Sequence, residues 1–416
     1  MDELKAPTTS EQSLATWSPS TRRSPNASNA DLAKLSLPST ADPPSASNPP
    51  KQKIWLIFGA TGHMGRSVTK TALSHGDIVS AVGQSLEDTP SSMENWHDDP
   101  DRYLGLLCDV RIRETVASAI DKTIKHFGRI DIIANCAGYG VIGACEDQDE
   151  HEIRNQFETN FMGTLNIIQL SLPYFRKRQS GRYLVFSSTS GALGVPGLGP
   201  YCATKYAVEG LIESMLYEVD QFSINATLVQ PAHLRRDDVH VMANGQRLPM
   251  FGHFKVAKAS EPYMGKDAPA AHAQRTLHWI GDNQPTSVVK AAELIWQLGH
   301  CRYPPLRLLL GSYAVDSIRD RLKSIIEEIE DWKHLSFPPL EGHEEKTAED
   351  DDGEGEADRD GEDDDDDADA EGYREGDDDD DNDENLATEV EHDLGSVEGQ
   401  RTSIRSIKVE HMDLDD

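Results

Sequence analysis

The sequence predicts a doubly wound α/β fold, with a seven-stranded parallel sheet covered by helices on both faces in one domain between two tails. Three observations predict it. Short apolar runs recur seven times, each followed by a longer stretch with helical spacing. The runs are almost uniformly apolar, as strands buried on both faces are. The first run also ends in a glycine-rich turn, Gly59-Ala-Thr61-Gly62-His-Met64-Gly65, that opens a helix near Arg66.

The first run is Ile54–Phe58. Glycines in the turn behind it let the backbone approach a pyrophosphate, and the helix N-terminus adds orphan N–H donors and a positive dipole end. Gly59, Thr61, Gly62, Met64 and Gly65 are therefore expected to line a dinucleotide. The second run, Ile78–Val82, ends in Gly83-Gln84. That is neither the acid that suits a ribose 2′-hydroxyl nor the Arg that suits a 2′-phosphate. Arg66 could reach a phosphate, which tips the expectation slightly from NAD towards NADP. A polar loop, Ser85–Asp101, precedes the third run, Tyr103–Cys108. Asp109 closes that run, where its carboxylate could accept from an adenine amino group or cap the next helix.

The fourth run, Ile130–Ala134, exits through Asn135-Cys-Ala137-Gly138. Small residues there either admit a ribose or simply make a tight exit. The fifth and sixth runs are Tyr183–Phe186 and Ile224–Val229, the latter followed by Gln230-Pro231, and the seventh is Leu306–Leu310. Right-handed crossovers place ligands at the carboxyl ends of such strands. A long excursion, residues 235–285, separates the sixth run from a late helix. It carries Met242, Met250, Phe251, Phe254, Tyr263, Met264 and Trp279. A loop of that length and apolar content reads as a substrate lid, or else as a variable surface excursion.

The chemistry concentrates after the fifth run. Ser188 stands thirteen residues before Tyr201, and Lys205 four after it. The four-residue step puts Tyr and Lys on one helix face, where an ammonium favours the phenolate. A Tyr so tuned exchanges protons near neutral pH, and a Ser beside it can hold a carbonyl or hydroxyl oxygen.

Composition sets the outer limits. The 416 residues carry a formal net charge of −33, most of it in one stretch. Between Glu344 and Glu384 there are 26 acidic residues against three basic ones. Such a run buries no apolar surface, so 337–416 reads as a disordered acidic tail. It would either solvate the protein or bind a basic protein partner, and it repels nucleic acid. Near its end Ile407–Glu410 is similar to a SUMO acceptor site. Residues 1–51, rich in Ser, Thr, Pro, Ala and Asn, read as a disordered N-terminal tail, leaving 52–336 as the domain. No stretch approaches a membrane span, and the start resembles no secretory signal. Five scattered cysteines without Cys-x-x-Cys spacing argue for a reducing compartment and against a metal site. A cytoplasmic or nuclear protein is expected.

These residues resemble a family. Gly59–Gly65, Asp109, Asn135–Gly138, Asn160, Ser188, Tyr201 and Lys205 occur in the order and spacing of the short-chain dehydrogenase/reductases, over about 53–336. The likeness is nearest to the single-domain branch of 17β-hydroxysteroid and retinol dehydrogenases, in Asp131–Gly140, in Gln156–Thr164 and in Pro304–Ser312 with Glu330-Asp-Trp. It implies a Rossmann fold and a nicotinamide cofactor. It implies Tyr201 as general acid/base, Lys205 tuning it and binding the nicotinamide ribose, and Ser188 holding the reacting oxygen. Asn160 would hold a water that links Lys205 to solvent, and Pro231 would lie by the nicotinamide. The substrate would be an apolar alcohol or carbonyl compound. Family members form dimers or tetramers through helices around Asn160 and Tyr201. This chain departs from the branch at His63, where the middle glycine is expected. It departs also at Gly83, at Ala232, and at Arg236 in place of a Thr. A second reading keeps the fold but makes the chain a dinucleotide sensor or scaffold that acts through its tail.

Overall fold

In the computed structural model the described residues are 35–335, apart from 86–87, 95, 98, 233, 236–252, 266–267, 274 and 276–285. Seven strands form the main sheet: β1 (Ile54–Phe58), β2 (Ile78–Gln84), β3 (Tyr103–Cys108), β4 (Ile132–Asn135), β5 (Gly181–Phe186), β6 (Ile224–Pro231) and β7 (Arg307–Leu310). Their order is β7-β6-β5-β4-β1-β2-β3 and every pairing is parallel. All seven sequence runs are strands. The fourth is shifted, because the paired segment begins at Ile132, although Ile130 is buried just before it.

The longer helices among the described residues are α1 (His63–Ser74), α2 (Arg113–Phe127), α3 (Glu150–Phe157), α4 (Gly163–Arg178), α5 (Gly199–Val219), α6 (Val288–His300) and α7 (Ser312–Trp332). The pleat of β1 explains why both faces need cover. Trp55 and Ile57 enter one core with Met64, Val68 and Ala72 of α1 and Ala291, Ala292 and Ile295 of α6. Leu56 and Phe58 enter the other with Val116 and Ile120 of α2, Ile167 of α4 and Val208 and Ile212 of α5. Successive side chains on a strand point to opposite faces, so an unbroken apolar run requires a layer on each side.

At the amino end of the sheet Asp77 is buried and fully bonded. It accepts from Lys53 N (2.8 Å), Trp55 Nε1 (2.9 Å), Trp296 Nε1 (3.0 Å) and His300 Nε2 (2.8 Å). Burying a carboxylate is tolerable only with such a set of donors.

The expected N-terminal tail needs one correction. Residues 35–42 pack on the domain: Leu37 and Ala41 are buried in the α6 core. Leu37 N donates to Gln297 Oε1 (3.0 Å), and Gln297 Nε2 donates to the Leu35 carbonyl (3.0 Å). One apolar side chain and a facing Gln hold a segment whose composition reads as tail. Residues 1–34 and 336–416, including the acidic run and Ile407–Glu410, lie outside the described residues. Among the described residues no helix is long and apolar enough to cross a membrane.

Candidate active site

β1 and β4 are neighbours, with β2 and β3 to one side of them and β5 to β7 to the other. Chain order reverses there, so a crevice opens at the carboxyl ends. The turn 59–65 lies at that point. Gly59 has φ +70°, a conformation that glycine adopts without strain. A methyl group built on it would lie 2.7 Å from Ala137 N. One built on Gly65 would run into the Gly59 carbonyl oxygen. The turn is thus locked against the β4 exit, and side chains are excluded where a pyrophosphate would need the backbone. Helix α1 starts at His63, three residues before the expected Arg66, with Gly62 as N-cap and no side-chain cap. With no side-chain cap on them, its first N–H groups are of the kind that binds an anion. These residues fit a dinucleotide. Thr61 is half-buried and Met64 is buried against the α1 core.

At the end of β2, Gly83 is crowded. A methyl group there would meet Met93 Sδ (2.8 Å), Thr61 Cγ2 (3.0 Å) and Asp88 Oδ2 (3.2 Å). The sequence showed no acid at this strand end, yet the loop returns one, Asp88, to it. Arg66 lies with its guanidinium 4.3 Å over the Trp96 ring. Asp109 is bonded by the Arg111 guanidinium (2.6–3.1 Å) and by Arg111 N (3.0 Å), which holds its carboxyl below the usual range. The helix-cap reading for Asp109 is not met, because Ile112 is the N-cap of α2 and has no side-chain cap. Asn135 fixes the β4 exit, donating to Thr164 Oγ1 (2.9 Å) and accepting from Ala137 N (3.1 Å).

Asn160 sits in a π-helical turn, Glu158–Met162, between α3 and α4. Such turns often mark functional positions. Its amide donates to the Tyr139 carbonyl (2.9 Å) and to Thr204 Oγ1 (2.9 Å), and its Oδ1 accepts from Tyr139 N (3.0 Å). A methyl group on Gly138 would lie 3.0 Å from Asn160 Oδ1 and 3.5 Å from Lys205 Nζ. These two groups therefore flank one glycine, and a water held by Asn160 would use a remaining lone pair of its Oδ1 or of its main-chain carbonyl.

Tyr201 and Lys205 lie in the first two turns of α5, both buried. Ser188, two residues beyond β5, caps the short helical turn Thr189–Gly191, its hydroxyl accepting from Ser190 N (3.2 Å). Burial pushes the Tyr201 phenol well above its usual value, and a hydrogen bond with Ser188 acts the other way. The expected lowering by Lys205 is not seen: burial dominates, and Ser188 is the group that acts against it. The ammonium stands 5.6 Å from the Tyr201 ring centre and donates to the Phe186 carbonyl (3.0 Å). Burial pushes Lys205 itself down to about 8, against the opposing pull of Glu209. As folded, Tyr201 is a protonated phenol.

Two residues at this site escaped the sequence reading. Glu209, one turn beyond Lys205, is a buried carboxylate that accepts from Ser187 Oγ (2.6 Å) and Gln230 Nε2 (2.7 Å). A helical i, i+4 step from Lys205 was the available signal. His253 brings Nε2 to 3.4 Å from Tyr201 Oη, from a loop whose register no motif reveals. It precedes a short strand, Phe254–Val256, that pairs with Gly140–Ile142. Phe254 stands edge-on to Tyr201 at 5.0 Å, and Ala273 joins Tyr201, Ile142, Leu198 and Cys202 in an apolar cluster. The described part of the excursion therefore closes over Tyr201. Met264 instead points to solvent. Met242, Met250, Phe251, Trp279, His233 and Arg236 lie outside the described residues. Pro231, at the end of β6, pairs with Leu310 of β7. Among the described residues no group of His, Cys, Asp and Glu could hold a metal ion.

The chain is similar in sequence and fold to known proteins. A family model described as short chain dehydrogenase matches residues 53–243. Oxidoreductase BOA17 of Botryotinia fuckeliana is 30% identical over 285 residues, covering 68% of this chain and 98% of that protein. Human 17-beta-hydroxysteroid dehydrogenase type 1 is 35% identical over 188 residues, 43% of this chain and 57% of that one. The crystal structure of a short-chain dehydrogenase from Streptomyces avermitilis superposes with a TM-score of 0.58 at 30% identity, over 68% of this chain and 98% of that one.

Proposed function

This chain belongs to the short-chain dehydrogenase family, and from that premise we propose that it is an NAD(P)-dependent oxidoreductase interconverting an alcohol with a ketone or aldehyde. The observation that carries the reading is the convergence of Ser188, Tyr201 and Lys205 beside a glycine turn whose shape excludes side chains. When bound, the nicotinamide supplies or takes the hydride. The turn 59–65 would hold the pyrophosphate. Asn135, Ala137, Gly138 and Lys205 would hold the ribose nearest the reaction, and Pro231 would border the ring.

Tyr201 carries the proton. Its protonated phenol is the form that can donate to the oxygen of a carbonyl under reduction, although burial makes it a weaker acid than a free tyrosine. Ser188 holds that oxygen and stabilises charge as it develops. Lys205 places a positive charge under the tyrosine ring, and Asn160 Oδ1 beside it offers a route for the replacement proton. The apolar cluster of Phe254, Leu198 and Ile142 around Tyr201 suits an apolar substrate. The Asp88 carboxylate over Gly83 suits a ribose 2′-hydroxyl and opposes a 2′-phosphate, which favours NAD(H) against the slight NADP preference drawn from Arg66.

The test is turnover of nicotinamide absorbance across a carbonyl and alcohol panel, with NADH and NADPH titrated by calorimetry. Turnover is expected in the wild type and its loss in Tyr201→Phe with nucleotide binding retained. Full activity in Tyr201→Phe would refute the mechanism.

A further inference from the structure

Helix α7 runs 21 residues, about 31 Å at 1.5 Å per residue. Only Ala314 of it is buried. Six of its apolar residues are regularly spaced: Val315, Ile318, Leu322, Ile325, Ile329 and Trp332 follow one another at steps of three, four, three, four and three, with exposed Ile326 flanking the series. That is a heptad seam. Over the last three turns the seam faces solvent, with Leu322, Ile329 and Trp332 exposed by 54%, 59% and 64%.

We propose that this seam is a self-association surface, and that α7 pairs antiparallel with α7 of a second copy of this chain. The inference is independent of the catalytic reading. Under a twofold axis the six seam positions satisfy one another in closed layers: Val315 against Trp332 of the second copy, Ile318 against Ile329, and Leu322 against Ile325. Each layer occurs twice, as an isologous contact requires. In that register the flanking Arg321 faces Glu328 of the second copy, and the reverse pair forms symmetrically. Arg321 and Glu328 already lie on one flank of the helix, 3.9 Å apart at a seven-residue step. Opposite charges at such flanking positions set partner and orientation. A parallel pair would forgo the Arg321–Glu328 contact, whereas Ile326 meets an arginine in either orientation, Arg321 when parallel and Arg319 when antiparallel. The parallel pair would also bring together the chain ends from which the two acidic runs depart, whereas the antiparallel pair leaves them a helix length apart, beyond the ~8–10 Å screening length. A membrane surface fits poorly. The polar face of α7 carries six acids against three bases, the reverse of what an interfacial helix needs.

The experiment is sedimentation velocity on the full-length protein over a dilution series, with Ile329→Glu, Arg321→Glu and the double swap Arg321→Glu/Glu328→Arg. Ile329 is exposed, so its substitution should leave circular dichroism and turnover unchanged. The expected result is an assembly whose mass halves in Ile329→Glu and in Arg321→Glu and is restored in the double swap. A wild type that is monomeric throughout, or an assembly that Ile329→Glu leaves intact, overturns the proposal. An Arg321→Glu variant that still assembles overturns the antiparallel register. Sedimentation of a monomeric wild type with phosphatidylserine vesicles, abolished by Ile329→Glu, would assign the seam to lipid and overturn it too.

Discussion

Lys205→Met should invert its effect on stability between neutral and alkaline pH. In the folded chain burial lowers the Lys205 ammonium from its ordinary 10.5 to about 8. Between those values the unfolded chain holds a proton that the folded chain has released. Stability therefore rises with pH across that window, and below it the fold carries the full cost of a buried charge. Methionine fills similar volume without that cost, but it leaves the Phe186 carbonyl without its 3.0 Å donor, a loss of about 1–3 kcal/mol that does not vary with pH. The pH-dependent part separates cleanly. From pH 7 to pH 10 the wild type should gain about 2–3 kcal/mol on the variant, from the two pKa values and 1.36 kcal/mol per unit. Urea unfolding of both proteins, without added nucleotide, at several pH values measures it. A gap that stays flat to within about 0.5 kcal/mol, near the extrapolation error, would refute the depressed ammonium and its place beneath Tyr201.

Tyr201→Phe should lower kcat by about 10²–10⁴, the usual worth of a positioned acid, with nucleotide affinity unchanged by calorimetry. Glu209→Gln should move the alkaline limb of the kcat/KM profile to lower pH. Glu209 raises the Lys205 pKa, so without its charge the ammonium is lost sooner, and a limb unmoved or shifted upward would contradict this. Gly65→Ala should weaken nucleotide binding and cost roughly 1–3 kcal/mol, because its methyl group meets the Gly59 carbonyl oxygen, as calorimetry and urea unfolding would show. Asp77→Asn should lower stability by about 3 kcal/mol, since an amide NH₂ would face donors where a carboxylate now accepts. Thermal unfolding checks it.

The sheet was legible because each strand needed an apolar side chain on both faces, which leaves a run that no loop imitates. The candidate set of Ser188, Tyr201 and Lys205 was legible because it depends on short-range steps from one strand exit to one helix. Asp88, Glu209 and His253 were not. Asp88 reaches Gly83 through an irregular loop, and His253 reaches Tyr201 only because Phe254–Val256 pairs with a strand more than a hundred residues earlier. Such placements are products of tertiary packing and leave no periodic trace. Composition likewise misread residues 35–42. Order there comes from Leu37 and one glutamine 260 positions away.

That last contact bears on the order of assembly. The segment around Leu37 leaves the ribosome before the rest of the domain, yet its partners Gln297, Arg302 and Tyr303 are among the last residues of the domain to appear. It cannot dock until nearly the whole sheet has been synthesised, so its closure reports a finished domain. Contacts between distant parts of a chain form late, because the loop between them must first be ordered. A protease that cuts near Leu37 while the chain is incomplete, and fails once α6 has packed, would read out that final step.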